Sequence, residues 1–104
     1  MPYELVFDEV ILDQLRSLRK NVGLRHRVSK MLDSIERLGP RAGNCLDVRG
    51  LYEVKSIHPP IRLYFRHYDD SAEIFVFEYE MKTSVESQKR TIDRLRFRIR
   101  GQHG

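Results

Sequence analysis

The sequence predicts an α+β fold, and three observations predict it. Leu24, Val28, Met31, Leu32, Ile35 and Leu38 recur at steps of 4, 3, 1, 3 and 3, a single apolar stripe of helical period. After Pro40 the apolar period falls to two, most cleanly in Ile61-Arg62-Leu63-Tyr64-Phe65-Arg66. From Lys82 onward the chain is again helical in pattern and strongly basic. Helices and strands are therefore segregated rather than alternating. The expected order is an N-terminal strand and helical hairpin, then a small antiparallel sheet and a C-terminal basic helix, in one domain spanning residues 1–104.

Each element has its own local reason. Tyr3 to Phe7 suits a short strand, and Asp8 offers an N-cap oxygen to the helix that follows. Val10, Ile11, Leu15 and Leu18 keep helical spacing, and Gly23 is expected to close that segment. The second helix runs along the Leu24–Leu38 stripe and stops at Gly39-Pro40. A shorter strand is expected over Cys45 to Val48, before the alternating run from Leu51 to Ile57. The turn at His58-Pro59-Pro60 leads into the strand from Ile61, and Asp69-Asp70-Ser71 marks the next turn. Ile74 to Phe77 is apolar on both faces, which suits the centre of the sheet rather than its edge. Thr83-Ser84-Val85-Glu86 reads as a capping box. Val85, Ile92, Leu95 and Ile99 form the buried face of the last helix, with Gly101 to Gly104 as a frayed tail.

Composition narrows the function classes. A chain of 104 residues buries only about 60–70% of its unfolded surface, enough for one modest core and not for a deep cofactor cavity. One cysteine, Cys45, excludes an intramolecular disulfide and a cysteine-based zinc cluster, and beside a strand it reads as packing. No run approaches the roughly 18 apolar residues of a membrane span, and the first residues lack the order of a signal peptide. A cytoplasmic protein with no membrane partner is expected. The formal net charge is +4, but it is unevenly spread. Asp69 to Glu80 holds five carboxylates and no Lys or Arg, whereas Lys82 to Arg100 holds seven cations against Glu86 and Asp93. Local density of this kind attracts polyanions more than the mean charge does, although such a run also serves as a solvated helix face.

No phosphate-binding glycine loop, nucleophile elbow or His-Glu-x-x-His is present. The histidines, His26, His58, His67 and His103, lie on different expected elements without metal-ligand spacing, so neither a metal nor a cofactor is expected. What remains is a polar sheet face. Arg62, Tyr64 and Arg66 project from one side of one strand, Lys55 lies on the strand before, and Lys82 stands where the sheet passes into the last helix. Cations grip phosphates and a tyrosine ring can stack on a base. The competing reading is a solvated sheet in which Arg62 or Arg66 pairs with Glu53 or Glu78 across strands, and in which Tyr64 packs.

The whole order resembles the RelE/ParE toxin superfamily, and within it the RelE and HigB ribonuclease toxins. The resemblance rests on the hairpin ending at Leu38-Gly39, then Gly50-Leu51-Tyr52-Glu53-Val54-Lys55, then Ile61-Arg62-Leu63-Tyr64-Phe65. The apolar strand to Tyr79 and Lys82-Thr83 before the last helix complete it. Met81 stands where the family often has the first lysine of a pair. Near the C-terminus no tyrosine appears; Phe97 cannot transfer a proton, whereas His103 could.

The resemblance implies an endoribonuclease that cuts mRNA in the ribosomal A site. It also implies a cognate antitoxin as partner, with operator DNA reached through that antitoxin. The implied chemistry is attack of a ribose 2′-OH on the adjacent phosphate, which requires a base, an acid and positive charge for the phosphorane. Arg62 and Lys82 are the expected phosphate ligands, with Lys55 beside them. His58 is a candidate acid or base, its ordinary pKa near 6.5 suiting both roles, or simply a turn residue. Arg66, Tyr64, Arg49, Lys89 and Arg90 are the expected RNA contacts. Two other functions share the fold: a ParE-like inhibitor of DNA gyrase, and an inactive relative that acts with an antitoxin in repression.

Overall fold

The computed structural model describes residues 2–68 and 70–103, with the side chains of residues 102 and 103 left aside. The order is β1 (Glu4–Phe7), α1 (Glu9–Ser17), α2 (Val22–Leu38), a 3₁₀ turn (Gly39–Ala42), β2 (Asn44–Asp47), β3 (Leu51–Ser56), β4 (Ile61–His67), β5 (Glu73–Met81) and α3 (Val85–His103). The strands form one sheet in the order β1-β5-β4-β3-β2. It is antiparallel except where β1 lies parallel to β5. The expected antiparallel sheet thus gains the N-terminal strand as a parallel edge. β5 lies between β1 and β4, which explains why Ile74 to Phe77 is apolar on both sides.

The sheet has two cores. On one face α1 and α2 bring Ile11, Leu18, Val28, Met31 and Ile35 onto Ile61, Leu63, Phe65, Ile74 and Val76. On the other face α3 brings Leu95 and Ile99 onto Leu51, Tyr64 and Phe77. Strand alternation alone would send Phe77 and Glu78 to opposite sides. The β4–β5 pairing passes from Tyr64↔Glu78 to Phe65↔Val76 and skips Phe77. This bulge puts Phe77 under α3 and starts the acidic run Glu78–Glu80 on that same face.

Local caps follow the sequence with three shifts. Asp8 accepts from the Val10 N–H as the N-cap of α1. α1 ends earlier than expected, at Ser17, because Asn21 caps α2 through the Leu24 N–H, and Gly23 sits inside the first turn of α2. Gly39 ends α2 at φ 63°. At the start of α3 the cap is Ser84, whose Oγ accepts from the Ser87 N–H. Thr83 and Glu86 therefore form no capping box, and Val85 is 80% exposed rather than buried. α3 also continues through His103, where a frayed tail was expected; Gly104 lies outside the described residues. At the β4–β5 turn Asp69 is likewise outside them, while Asp70 takes a φ of 64° and the Ser71 N–H donates to the Tyr68 carbonyl.

One edge is finished by a side chain. β1 pairs only with Glu73–Val76, which leaves the backbone of Tyr79 without a strand on that side. The Gln14 amide of α1 fills the gap, donating to the Tyr79 carbonyl at 2.8 Å and accepting from its N–H at 2.9 Å. Among the described residues no helix is long and apolar enough to cross a membrane.

Candidate active site

The strand register decides which expected residues meet. Lys55 pairs with Arg62, and Arg62 pairs with Glu80. In the next row Glu53 pairs with Tyr64, and Tyr64 with Glu78. Directly opposed residues in a sheet share a face, so Lys55, Arg62 and Glu80 form one line across β3, β4 and β5. The Lys82 N–H donates to the Pro60 carbonyl at 2.9 Å, which brings that residue to the same end of the sheet. His58 lies exposed in the turn that joins β3 to β4 at this end. Lys55, Arg62, Lys82 and His58 therefore stand at one end of the sheet.

Acidic groups stand among these cations. Glu53, 4% exposed, accepts from Arg62 Nη1 at 2.8 Å and lies 3.8 Å from Lys55 Nζ. Gln88 of α3 approaches the same carboxylate at 3.5 Å. The Arg62 side chain keeps 17% of its surface in water and that of Lys55 keeps 43%. Glu80 accepts from the Tyr64 hydroxyl at 2.6 Å and from Thr91 Oγ1 at 2.5 Å. The cross-strand pairing that the sequence offered as the alternative to an open phosphate site is thus present for Arg62. A guanidinium carries five N–H donors in a fixed fork, so one bond to Glu53 leaves others for a phosphate. Lys82, His58, Lys89 and Arg90 have no ion pair among the described residues.

The remaining candidates are placed differently. Tyr64 is fully buried beneath α3, so base stacking is closed to it. Burial first, and then the hydrogen bond and charge of Glu80, push its phenol far above the usual range. Arg66 is 2% exposed, with its guanidinium 4.1 Å from the Tyr68 ring centroid and its Nε donating to the Arg49 carbonyl. It is part of the packed interior, not an RNA contact surface. Arg49 is clamped on Asp47, which also receives Arg96 of α3. Arg66 and Arg49 sit at the Leu51 end of β3, four residues from Lys55, or about 13 Å along a strand. They do not join the Lys55–Arg62 group. Lys89 and Arg90 lie exposed on the first half of α3.

Glu53 is the cross-strand partner that the sequence offers for Arg62, whereas Glu80, Gln88 and Thr91 are polar groups to which it gives no role at the site. Glu53 was legible, since a spacing of two puts it on the face of Lys55. Gln88 and Thr91 were not, because their approach depends on how α3 crosses the sheet. The basic helix itself is largely spent on the fold: Arg94 grips Glu78 through two bonds of 2.8 Å, and Arg98 reaches Asp8 at 2.9 Å. No group of three or more His, Cys, Asp or Glu among the described residues could hold a metal ion.

No protein-family model matches the sequence, and no curated protein matches it. Solved structures do. An arginine-to-alanine double mutant of the E. coli toxin RelE in the free state aligns with a TM-score of 0.66 at 24% identity, over 90% of this chain and 98% of that one. The toxin in the intact E. coli RelBE toxin–antitoxin complex aligns at 0.61 with 25% identity, over 79% and 99%. A RelBE toxin–antitoxin complex from Mycobacterium tuberculosis aligns at 0.62 with 19% identity, over 81% and 95%. The expected RelE-like α+β fold is the fold this chain has.

Proposed function

We propose that this chain is the toxin of a toxin–antitoxin pair and a metal-independent endoribonuclease that cleaves mRNA in the ribosomal A site. Its site of action is then the cytoplasm, and a cognate antitoxin is its protein partner. The fold shared with RelE toxins, some solved with an antitoxin, supports the toxin reading. The observation that carries the chemistry is the pairing of Lys55 with Arg62 across β3 and β4, with Lys82 at the same end of the sheet.

The reaction asked of these groups is in-line attack of a ribose 2′-OH on its own 3′-phosphate, giving a 2′,3′-cyclic phosphate and a free 5′-OH. Negative charge grows on the non-bridging oxygens, and Arg62 and Lys82 supply fixed positive charge there, with Lys55 adjacent. His58 exchanges protons with the 2′-OH or the departing 5′-oxygen, a role imidazole suits because one ring nitrogen donates while the other accepts. Lys89 and Arg90 bind flanking phosphates.

One observation favours a second reading. The Arg62–Glu53 pair already satisfies part of the guanidinium, as expected in a relative that keeps the fold without cleavage and acts with its antitoxin on operator DNA. A gyrase inhibitor is the third outcome of the same experiment. After brief induction, primer extension on a translated mRNA should reveal cuts within codons. They should vanish in Lys82→Ala, a change that breaks no internal pair. Intact mRNA with a DNA-damage response would point to gyrase, and the absence of growth arrest would leave the inactive relative.

A further inference from the structure

Part of the positive charge not consumed by internal pairing lies on α2, away from Lys89 and Arg90 of the final helix. Arg94, Arg96 and Arg98 of α3 are each held by a carboxylate, as are Arg49 and Arg62. Arg27 and Lys30 of α2 have no ion pair among the described residues. They stand three residues apart, on one flank of the helix. That flank forms one wall of a cleft of about 460 Å³, whose other wall is the end of β3 at Lys55, Ser56 and His58. The cleft lies where β2 leaves β3 uncovered: β2 begins at Asn44, opposite Glu53, so Val54–Ser56 have no strand on that side. Ser34 adds a hydroxyl, and no Asp or Glu lines the space. The acids of α2, Asp33 and Glu36, face a different hollow beside Arg37.

We infer that this α2–β3 cleft binds the phosphodiester backbone of single-stranded RNA, continuing the strand away from the Lys55–Arg62 site. The inference rests on the ribonuclease reading. The lining fits phosphate rather than base: Arg, Lys and Ser donate to phosphate oxygens, and no Phe, Tyr or Trp is present to stack on a base. Contact of that kind is independent of sequence. The free edge of β3 supplies the direction: Lys55 and His58 line the cleft at that edge, and Lys55 also stands in the row with Arg62 on the opposite face of the sheet from α2. A strand with its reacting phosphate beside Arg62 then passes over the β3 edge that Val54–Ser56 leave unpaired and reaches Arg27 and Lys30 on the other side. The volume lies within the roughly 300–1,000 Å³ typical of ligand sites.

The test is binding of the full chain to a short 2′-O-methyl RNA, which cannot be cleaved, followed by fluorescence anisotropy across a salt series. Arg27→Gln with Lys30→Gln removes the cleft cations. Arg37→Gln with Arg41→Gln removes equal charge from exposed positions elsewhere on the chain. The cleft pair should weaken binding by about tenfold and reduce the slope of log K against log salt by about 1.4, at about 0.7 per phosphate for single strands. The control pair should change affinity by less than about twofold, an outcome set by general charge alone. RNA binding by the parent with both pairs alike would overturn the cleft and leave the ribonuclease reading standing. A parent that binds no RNA would sink both. Loss of a polyglutamate peptide from the cleft variant, with RNA binding unchanged, would give the cleft to an acidic protein segment instead.

Discussion

Glu53 Oε2 lies 2.8 Å from Arg62 Nη1, on a carboxylate almost wholly shielded from water. The two residues sit in adjacent rows of the sheet, so the contact is diagonal across β3 and β4. Breaking such a pair from one side strands the other charge. Arg62→Ala should therefore cost about 2–3 kcal/mol in urea unfolding, with Lys55 at 3.8 Å as the remaining partner of Glu53. Glu53→Ala combined with Arg62→Ala should cost clearly less than the sum of the single changes. Strict additivity would show that the pair contributes nothing.

The C-terminal helix is fastened by a second such contact. Arg94→Ala removes both bonds to Glu78, a carboxylate only 9% exposed. The expected cost is about 1.5–3 kcal/mol, with faster hydrogen exchange along α3 than along α2. Arg100→Ala, at an exposed position of the same helix, should stay within about 0.5 kcal/mol of the parent. Equal effects from both would mean that Glu78 does not anchor the helix.

Acid should act through Asp47. The side-chain hydrogen bond from Arg49, then the Arg49 backbone N–H and the charges of Arg49 and Arg96, hold its carboxyl well below the ordinary range. In the unfolded chain it titrates near 3.9. Below that value the unfolded state takes up a proton that the folded state refuses, so stability is present above about pH 4 and lost as pH falls. Asp47→Asn should be less stable than the parent at neutral pH, and the gap should close toward about pH 2 in urea titrations. A gap independent of pH would exclude this linkage.

Base should act through the buried phenols. Burial raises Tyr64 and Tyr79, and the hydrogen bond to Glu80 raises Tyr64 further. The unfolded chain ionises these groups near pH 10, so their contribution to stability holds below that value and is lost above it. Ultraviolet titration of the five tyrosines should show a phase that appears only with unfolding, assigned to Tyr64 and absent from Tyr64→Phe. Five ordinary titrations preceding any loss of circular dichroism would contradict the burial of Tyr64.

Gly50 holds the turn between β2 and β3 at φ 93°, with its N–H on Asp47 and its carbonyl accepting from His67. A Cβ there would stand 2.2 Å from the His67 carbonyl oxygen. Gly50→Ala should destabilise by about 2 kcal/mol or more from backbone strain alone, read as a lower urea midpoint at unchanged slope. A variant as stable as the parent would require a different turn.

How much of this was legible in the sequence depends on the range of the interaction. The α2 stripe, the Asp8 cap, the stop at Gly39 and the alternation of β4 are set by neighbours a few residues apart, and all are present in the fold. The pairing of β1 with β5 spans most of the chain, and no local pattern announces it. Residue type could not say that the Arg62–Tyr64–Arg66 face lies under α3, because a helix docking on polar strands leaves no periodic signal on them. Arg66 reads as a surface cation and is buried. Tyr64 reads either as a stacking platform or as a packed ring, and it is packed, with its hydroxyl donating to Glu80. Lys55 and Arg62 can meet on one face of a meander, and the register that makes them a pair is fixed by the fold, not by the sequence pattern.

The parallel edge strand bears on how the chain is made. Glu4 to Phe7 must wait for Glu73 to Val76 before it has any strand to join, and Ile74 and Val76 belong to the core that the helical hairpin covers. A nascent or truncated chain lacking β5 therefore holds Lys55 and Arg62 on a β3–β4 hairpin whose apolar side meets α1 and α2 without the Ile74 and Val76 part of that core. Loop closure over this span is entropically slow. The Lys55–Arg62–Glu80 row is therefore complete only after β5 has been made and has joined β4.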